Sequence, residues 1–199
     1  MSVLELGCGD GRYARELLAA GVRAYSGIDG SARMVAAARA AVGADERASV
    51  VHADLDRWEP DVAEVDVVVA RMVLHYVDDL ERLLRQSRAC LATGGTYTFS
   101  VEHPVITSNY AQPDGAPRVR TWQDSGYFDE GRRTCRWLGA EVGKHHRTVE
   151  RYLSLLSGAG FALSGFSEGR PQQGHFDSQE RYQAMRDVPF YLIIRGIAR

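Results

Sequence analysis

Acidic side chains set beside closely spaced glycines open the chemical reading of this chain. Glu5 stands just before Gly7-x-Gly9-x-Gly11, Asp29 follows Gly9 by twenty residues, and Asp54 lies in Ala53-Asp54-Leu55. Glycines at this spacing let the backbone approach a ligand, because no Cβ intervenes. With a strand before and a helix after, such a turn makes a nucleotide-binding corner. A carboxylate at Asp29 is placed to accept hydrogen bonds from both ribose hydroxyls; its plainer role would be to cap the helix that follows. The glycine spacing is shorter than the G-x-G-x-x-G that a pyrophosphate prefers. An anion at Glu5 would repel a phosphate and attract a cationic amino group, and Asp54 is placed to accept from an adenine amino group. This set suits a cationic adenosine ligand rather than a polyphosphate.

Histidines supply the candidates for proton handling, since an imidazole near neutral pKa can take a proton from a hydroxyl or an ammonium. His75 follows a strand in Leu74-His75-Tyr76, and His103 ends another in Glu102-His103-Pro104. Both fall at the carboxyl edge where ligands sit in doubly wound sheets. His145-His146-Arg147 precedes a later helix, and His175 falls in a late loop. His103, His75 and His146 are the candidate bases, each weighed against a structural role. Carboxylates and cysteines do not stand at ligand spacing around them, so no metal is expected.

Elements that could position these groups follow from periodicity. Val3 to Leu6 is a short apolar strand, followed by an amphipathic helix with Ala14, Leu17 and Leu18 on one face and Gly21 at its end. Ala24 to Ile28 reads as a second strand, and Ser31 caps a helix to about Val42, stopped by Gly43. Ser49 to His52 and Val65 to Ala70 are the third and fourth strands. Asp78 is expected to cap a helix carrying Leu80, Leu83, Leu84 and Leu91, ended by Gly94-Gly95, with a fifth strand from Thr96 to Val101. This alternation implies an α/β fold, a doubly wound and mostly parallel sheet.

The rhythm breaks at His103-Pro104. Arg132 to Trp137 and Glu141 to His146 can pair as a hairpin around Leu138-Gly139-Ala140. A helix resumes with Val149, Leu153 and Leu156, and Phe161 to Phe166 and Phe190 to Ile194 complete seven strands. Residues 102–147 thus form a candidate substrate lid inserted after strand five of a single domain spanning 1–199. Tyr110, Trp122, Tyr127, Phe128 and Trp137 offer aromatic surface to a flat or apolar acceptor. Tyr110, Trp122, Tyr127 and Arg147 are the substrate-binding candidates, with Arg132 and Arg133 beside them. Between residues 118 and 151 eight Lys/Arg face five Asp/Glu; that excess suits an acidic group or a solvated face, and is too short for a nucleic-acid groove.

Composition narrows the classes further. The 199 residues are 45% hydrophobic and carry a net charge of −2, enough for one sizeable core and without overall pull toward nucleic acid or anionic membrane. Cys8, Cys90 and Cys135 are odd in number and far apart, which argues against a disulfide framework and suits a reducing cytosol. No apolar run is long enough to span a bilayer, and no charged-then-apolar leader precedes the first strand. The expectation is a cytoplasmic monomer or homodimer acting on a small-molecule acceptor, with no nucleic-acid or membrane partner. The first strand begins at residue 2 or 3, so the chain is either cut short there or works without a covering helix.

Glu5-Leu6-Gly7-Cys8-Gly9-Asp10-Gly11, Gly27-Ile28-Asp29-Gly30-Ser31, Ala53-Asp54-Leu55 and the stretch from Asp66 to Val77 together resemble the class I S-adenosylmethionine-dependent methyltransferases. The resemblance covers residues 3 to about 101. It implies a Rossmann-like sheet of seven strands whose last is antiparallel, with S-adenosyl-L-methionine as cofactor. It also implies that Glu5, Gly7 and Gly9 hold the methionine moiety, and that Asp29, with Gly30 and Ser31 behind it, holds the ribose. Asp54 with Leu55 would meet the adenine, Met34 would pack near its ring, and the Ala70-Arg71 backbone would approach the methionine end. Strand four ends in Ala70-Arg71-Met72-Val73. It has neither the Asn/Asp-Pro-Pro-aromatic run of amino-base and glutamine enzymes nor a Pro-Cys nucleophile. Methyl transfer to nitrogen or oxygen of a small metabolite follows, with transfer to a peptide, other chemistry in the same pocket, a non-catalytic role, or a nicotinamide-dependent dehydrogenase as rivals.

Overall fold

The computed structural model describes residues 1–61, 64–109, 126–137 and 139–199. β1 (Ser2–Leu6) is buried along its whole length, the outcome expected of an apolar strand covered on both faces. α1 (Arg12–Ala19), β2 (Ala24–Asp29), α2 (Ala32–Val42), β3 (Ala48–His52) and β4 (Val65–Arg71) follow in alternation. Next come α3 (Leu80–Ala89), β5 (Leu91–Glu102) and the single turn α4 (Pro104–Thr107). The hairpin β6 (Gly131–Trp137) and β7 (Ala140–His146) leads to α5 (Val149–Gly158), β8 (Phe161–Glu168), α6 (Gln179–Met185) and β9 (Tyr191–Ala198).

Seven strands form one sheet in the order β3-β2-β1-β4-β5-β9-β8. β1 runs parallel to both β2 and β4, whereas β9 is antiparallel to β5 and β8. The expected mostly parallel sheet with an antiparallel last strand is therefore what the chain adopts. Chain order reverses between β1 and β4, the switch point outside whose carboxyl ends ligands bind in open α/β sheets. One apolar cluster joins Val3, Tyr25 and Val69 to Ala14, Leu18, Val35 and Ala38 of α1 and α2. A larger one packs Tyr97, Phe99, Leu192 and Ile194 against Leu83, Leu84, Tyr152 and Leu156 of α3 and α5.

Three boundaries differ from the sequence reading. Asp79, not Asp78, caps α3, its side chain accepting from the Arg82 N–H at 2.9 Å. The helix stops at Ala89, and Leu91 begins β5 instead of extending the helical stripe; its backbone pairs with Val65 of β4. A leucine serves either element equally well, so sheet pairing decided the matter. The hairpin pairs Arg136 with Glu141 and Trp137 with Ala140, as its spacing indicated. α4 and α6 are short helices that the periodicity did not reveal. Tyr110 and Trp122 of the expected lid lie outside the described residues, as does the Trp137 side chain. Among the described residues no helix is long and apolar enough to cross a membrane, and the three cysteines are free.

Candidate active site

The glycine turn between β1 and α1 is held from below by β2: the N–H groups of Gly7 and Cys8 both donate to the Ile28 carbonyl, at 2.8 and 2.9 Å. Gly7 has φ +70°, and a Cβ there would stand 2.6 Å from Cγ2 of Val73. Gly9 has φ +57°, and a Cβ there would meet nothing within 4 Å, so the turn presents bare backbone to open space. Asp29 ends β2 and locks the turn to the next helix. Its Oδ2 accepts from Gly9 N at 2.9 Å and its Oδ1 from Ser31 N at 2.8 Å. Ser31 caps α2, accepting from Met34 N, while Met34 itself is half-buried. The helix cap is therefore Ser31, and each Asp29 oxygen, accepting one hydrogen bond, keeps further acceptor capacity. Gly30 is exposed, its carbonyl accepting from His52 Nε2 at 3.0 Å. Asp54 is exposed and accepts from Asp56 N, whereas Leu55 is buried in the core.

Glu5 is placed differently from a carboxylate waiting for a cation. It is wholly buried, its Oε2 accepts from the Tyr25 hydroxyl at 2.7 Å, and its Oε1 accepts from Arg71 Nε at 3.1 Å. Burial raises its pKa, and the hydrogen bond from Tyr25 and the Arg71 charge oppose the rise. Arg71, expected to contribute backbone, contributes a guanidinium.

On the other side of the β4 terminus lies a cavity of about 860 Å³, lined by Met72, His75, Tyr76, Glu102 and Lys144 and, from farther along the chain, by Phe190 and Tyr191. Met72 turns the chain out of the sheet with φ +55°, a conformation costly for a non-glycine residue. Its N–H donates to the Ser100 carbonyl at 2.8 Å, which holds the turn. His75 is 1% exposed, and among the described residues its Nδ1 has no hydrogen-bond partner. Burial, reinforced by the Lys144 and Arg147 charges, pushes its pKa down to about 3. Lys144 of β7 donates to Glu102 Oε1 at 2.6 Å and lies 5.6 Å from the Tyr76 ring centroid. Glu102 holds the lysine in its ammonium form despite burial.

The remaining candidates are occupied with structure. Nδ1 of His103 accepts from Val105 N, capping α4, and its Nε2 donates to Glu168 at 3.0 Å. Nδ1 of His146 meets the Thr107 hydroxyl and its Nε2 donates to the Tyr127 carbonyl, both at 2.8 Å. Neither imidazole has a nitrogen left for a substrate proton. Arg147 donates to the carbonyls of Leu74, Val77 and Asp78, tying the end of β7 to the 3-10 turn Leu74–Tyr76 that carries His75. Tyr127 accepts from Val149 N at the start of α5. Thus the expected substrate contacts at Arg147 and Tyr127 hold the cavity's frame instead. His145 lies 3.5 Å from Asp78, and His175 is exposed. Lys144 and Glu102 went unnoticed in the sequence because forty-two residues separate them; no local pattern announces such a pair.

Comparison with known proteins decides what this corner belongs to. A methyltransferase-domain family model matches residues 3–95. The chain is 35% identical to an S-adenosylmethionine-dependent methyltransferase from Mesorhizobium loti, covering 98% of this chain and 90% of that one, with a TM-score of 0.85. The chain belongs to the S-adenosylmethionine-dependent methyltransferases. It is also 26% identical to an uncharacterized protein of Haemophilus influenzae, over 83% of this chain and 69% of that protein. A malonyl-[acyl-carrier protein] O-methyltransferase of Halalkalibacterium halodurans is 26% identical over 94% of this chain and 73% of its own length.

The cofactor of this methyltransferase is S-adenosyl-L-methionine. The residues present fit it. Open space over Gly9, a carboxylate at Asp29 with spare lone pairs, and an exposed Asp54 beyond β3 offer acceptors and close backbone for an adenosine.

Proposed function

We propose that this methyltransferase acts on an oxygen or nitrogen of a small molecule bound in the cavity beside the β4 terminus. Residues 102–147 would act as its cover within one domain spanning 1–199. The observation that carries the reading is His75 in the wall of that cavity, a buried imidazole whose Nδ1 has no hydrogen-bond partner among the described residues. A buried polar atom without a partner costs about 1–3 kcal/mol, and an acceptor's O–H or N–H would recover it. A volume near 860 Å³ falls within the range of small-molecule sites.

Bound S-adenosylmethionine supplies a methyl group on a positively charged sulfur, already a good leaving group. The chain's own work is then alignment and exclusion of water. Gly9 and Asp29 would hold the ribose end, and Asp54 the adenine. Met72 and Tyr76 would wall the acceptor. His75 would aim the nucleophile by accepting its hydrogen bond. An imidazole held neutral in this way orients better than it stores a proton, since a strong base needs a pKa near the working pH.

A second reading, O-methylation of a carboxylic acid, is favoured by the Lys144 ammonium within the cavity and by the activity of the Halalkalibacterium relative. A carboxylate needs no base. The test is transfer of labelled methyl to panels of phenols, amines and carboxylic acids, with peptide and RNA pools alongside. Label should enter one small-molecule class. His75→Gln should lower kcat/KM by about tenfold or more while leaving S-adenosylhomocysteine affinity unchanged. Labelling of peptide or RNA alone rejects the small-molecule reading, and full turnover by the variant removes His75 from the site.

A further inference from the structure

Arg71 and Glu5 form a pair whose two halves live in different surroundings. The Glu5 side chain is fully buried, whereas that of Arg71 is 47% exposed. Nε and Nη2 of Arg71 both lie 3.1 Å from Glu5 Oε1. The guanidinium lies over the Tyr13 ring at 4.0 Å from its centroid. One edge of the fork is thus fixed on a buried carboxylate and one flat face on an aromatic ring. Among the described residues no partner takes Nη1, and nearly half of the side chain remains exposed. Planar, pre-oriented guanidinium edges match carboxylates and pay little entropy to bind them.

Position narrows the ligand. Arg71 is the last residue of β4 and Glu5 lies near the end of β1, the two strands at the switch point beside the glycine turn. With Tyr13, Val69, Ser100 and Ile193, Arg71 lines a depression of about 350 Å³. Pulling Arg71 away to admit an ammonium onto Glu5 would first leave a carboxylate buried and unpaired, a costly state. A ligand arriving here therefore finds a cation already seated, and must bring an anion to it.

We infer that Arg71 is the clamp for the α-carboxylate at the amino-acid end of the cofactor, and that Glu5 and Tyr13 serve by holding that clamp in place. This rests on the S-adenosylmethionine reading of the corner. The anion at position 5 then acts through its arginine and never touches the ligand. The chain accordingly selects adenosyl sulfur compounds that carry a carboxylate over those that have lost it.

Calorimetry with S-adenosylmethionine and decarboxylated S-adenosylmethionine tests this directly, because the two differ only in the group that Arg71 would hold. The wild-type chain should bind the first at least tenfold more tightly. Arg71→Gln alone strands Glu5, so it is combined with Glu5→Gln, which leaves a neutral pair for Tyr25. In the double variant S-adenosylmethionine should fall to the affinity of its decarboxylated analogue, whose own binding changes less than twofold. Equal affinities in the wild-type chain overturn the clamp, with no variant needed. Discrimination that survives in the double variant overturns it as well. Failure of the wild-type chain to bind either compound would instead sink the cofactor reading beneath it.

Discussion

The two sides of the β4 terminus are built on different principles. The corner proposed for the cofactor comes from short contiguous stretches: a glycine turn after β1, Asp29 closing β2, Asp54 after β3. Its hydrogen bonds join neighbouring strand ends, such as Asp29 to Gly9 and Ser31. The cavity proposed for the acceptor is assembled from the turn after β4, from β5 and β7, and from the start of β9, with Lys144 reaching Glu102 across forty-two residues. Backbone geometry dominates the first and side-chain pairing the second. A ligand common to a whole family can be held by backbone and a few carboxylates, whereas an acceptor is distinguished by side chains free to vary.

Breaking the corner should cost most. Gly7→Ala places a Cβ 2.6 Å from Val73 in a left-handed conformation. Backbone strain and overpacking together should remove about 3 kcal/mol or more of unfolding free energy, read by urea denaturation, and abolish cofactor binding. Equal stability would show that the turn is softer than its geometry implies.

The frame of the cavity comes next. Arg147→Met removes the guanidinium that donates to Leu74, Val77 and Asp78. Leaving those carbonyls unpaired should cost about 2–3 kcal/mol and raise the acceptor KM while cofactor affinity stays constant. A parallel loss of cofactor affinity would erase the distinction between the two sides.

Acid should strike the cavity before the corner. His75 has a folded pKa near 3, below its unfolded value of 6.5, so its contribution is complete above pH 6.5 and is lost as the pH falls toward 3. Burial depresses His103, His145 and His146 in the same direction. Between pH 7 and 5, His75 alone should account for about 2 kcal/mol of lost stability. His75→Gln should flatten that limb by this amount in denaturation curves taken across the range, and an unchanged limb would mean that the imidazole is hydrated.

Asp29→Asn is the mildest probe. One oxygen still accepts a backbone N–H, so stability should drop by only about 1 kcal/mol. Calorimetric affinity for S-adenosylhomocysteine should nevertheless fall, sharpening the view that Asp29 serves the ligand beyond bracing the turn.

Legibility in the sequence followed the same division. Strand, glycine turn and helix were readable at the amino-terminal corner because glycine spacing and apolar periodicity act over a few residues. The Leu91 register and the Asp79 cap were not, because a leucine fits helix or strand and two adjacent aspartates are equally good caps until neighbouring elements choose between them. Three histidines looked alike as candidate bases. Only packing set His103 and His146 to work as structural hydrogen-bonding groups and left Nδ1 of His75, in a cavity wall, without a partner among the described residues.

By itself, then, the sequence determined the main alternation of strands and helices, the mostly parallel sheet and the glycine turn after β1, all products of short-range chain stereochemistry and hydrophobic period. The tertiary structure alone decided that Glu5 is paired with Arg71, that Arg147 braces the cavity, and which imidazole lines it. Those outcomes depend on burial and on partners distant in the chain, and desolvation makes a charge or a lone pair significant only once its surroundings are fixed.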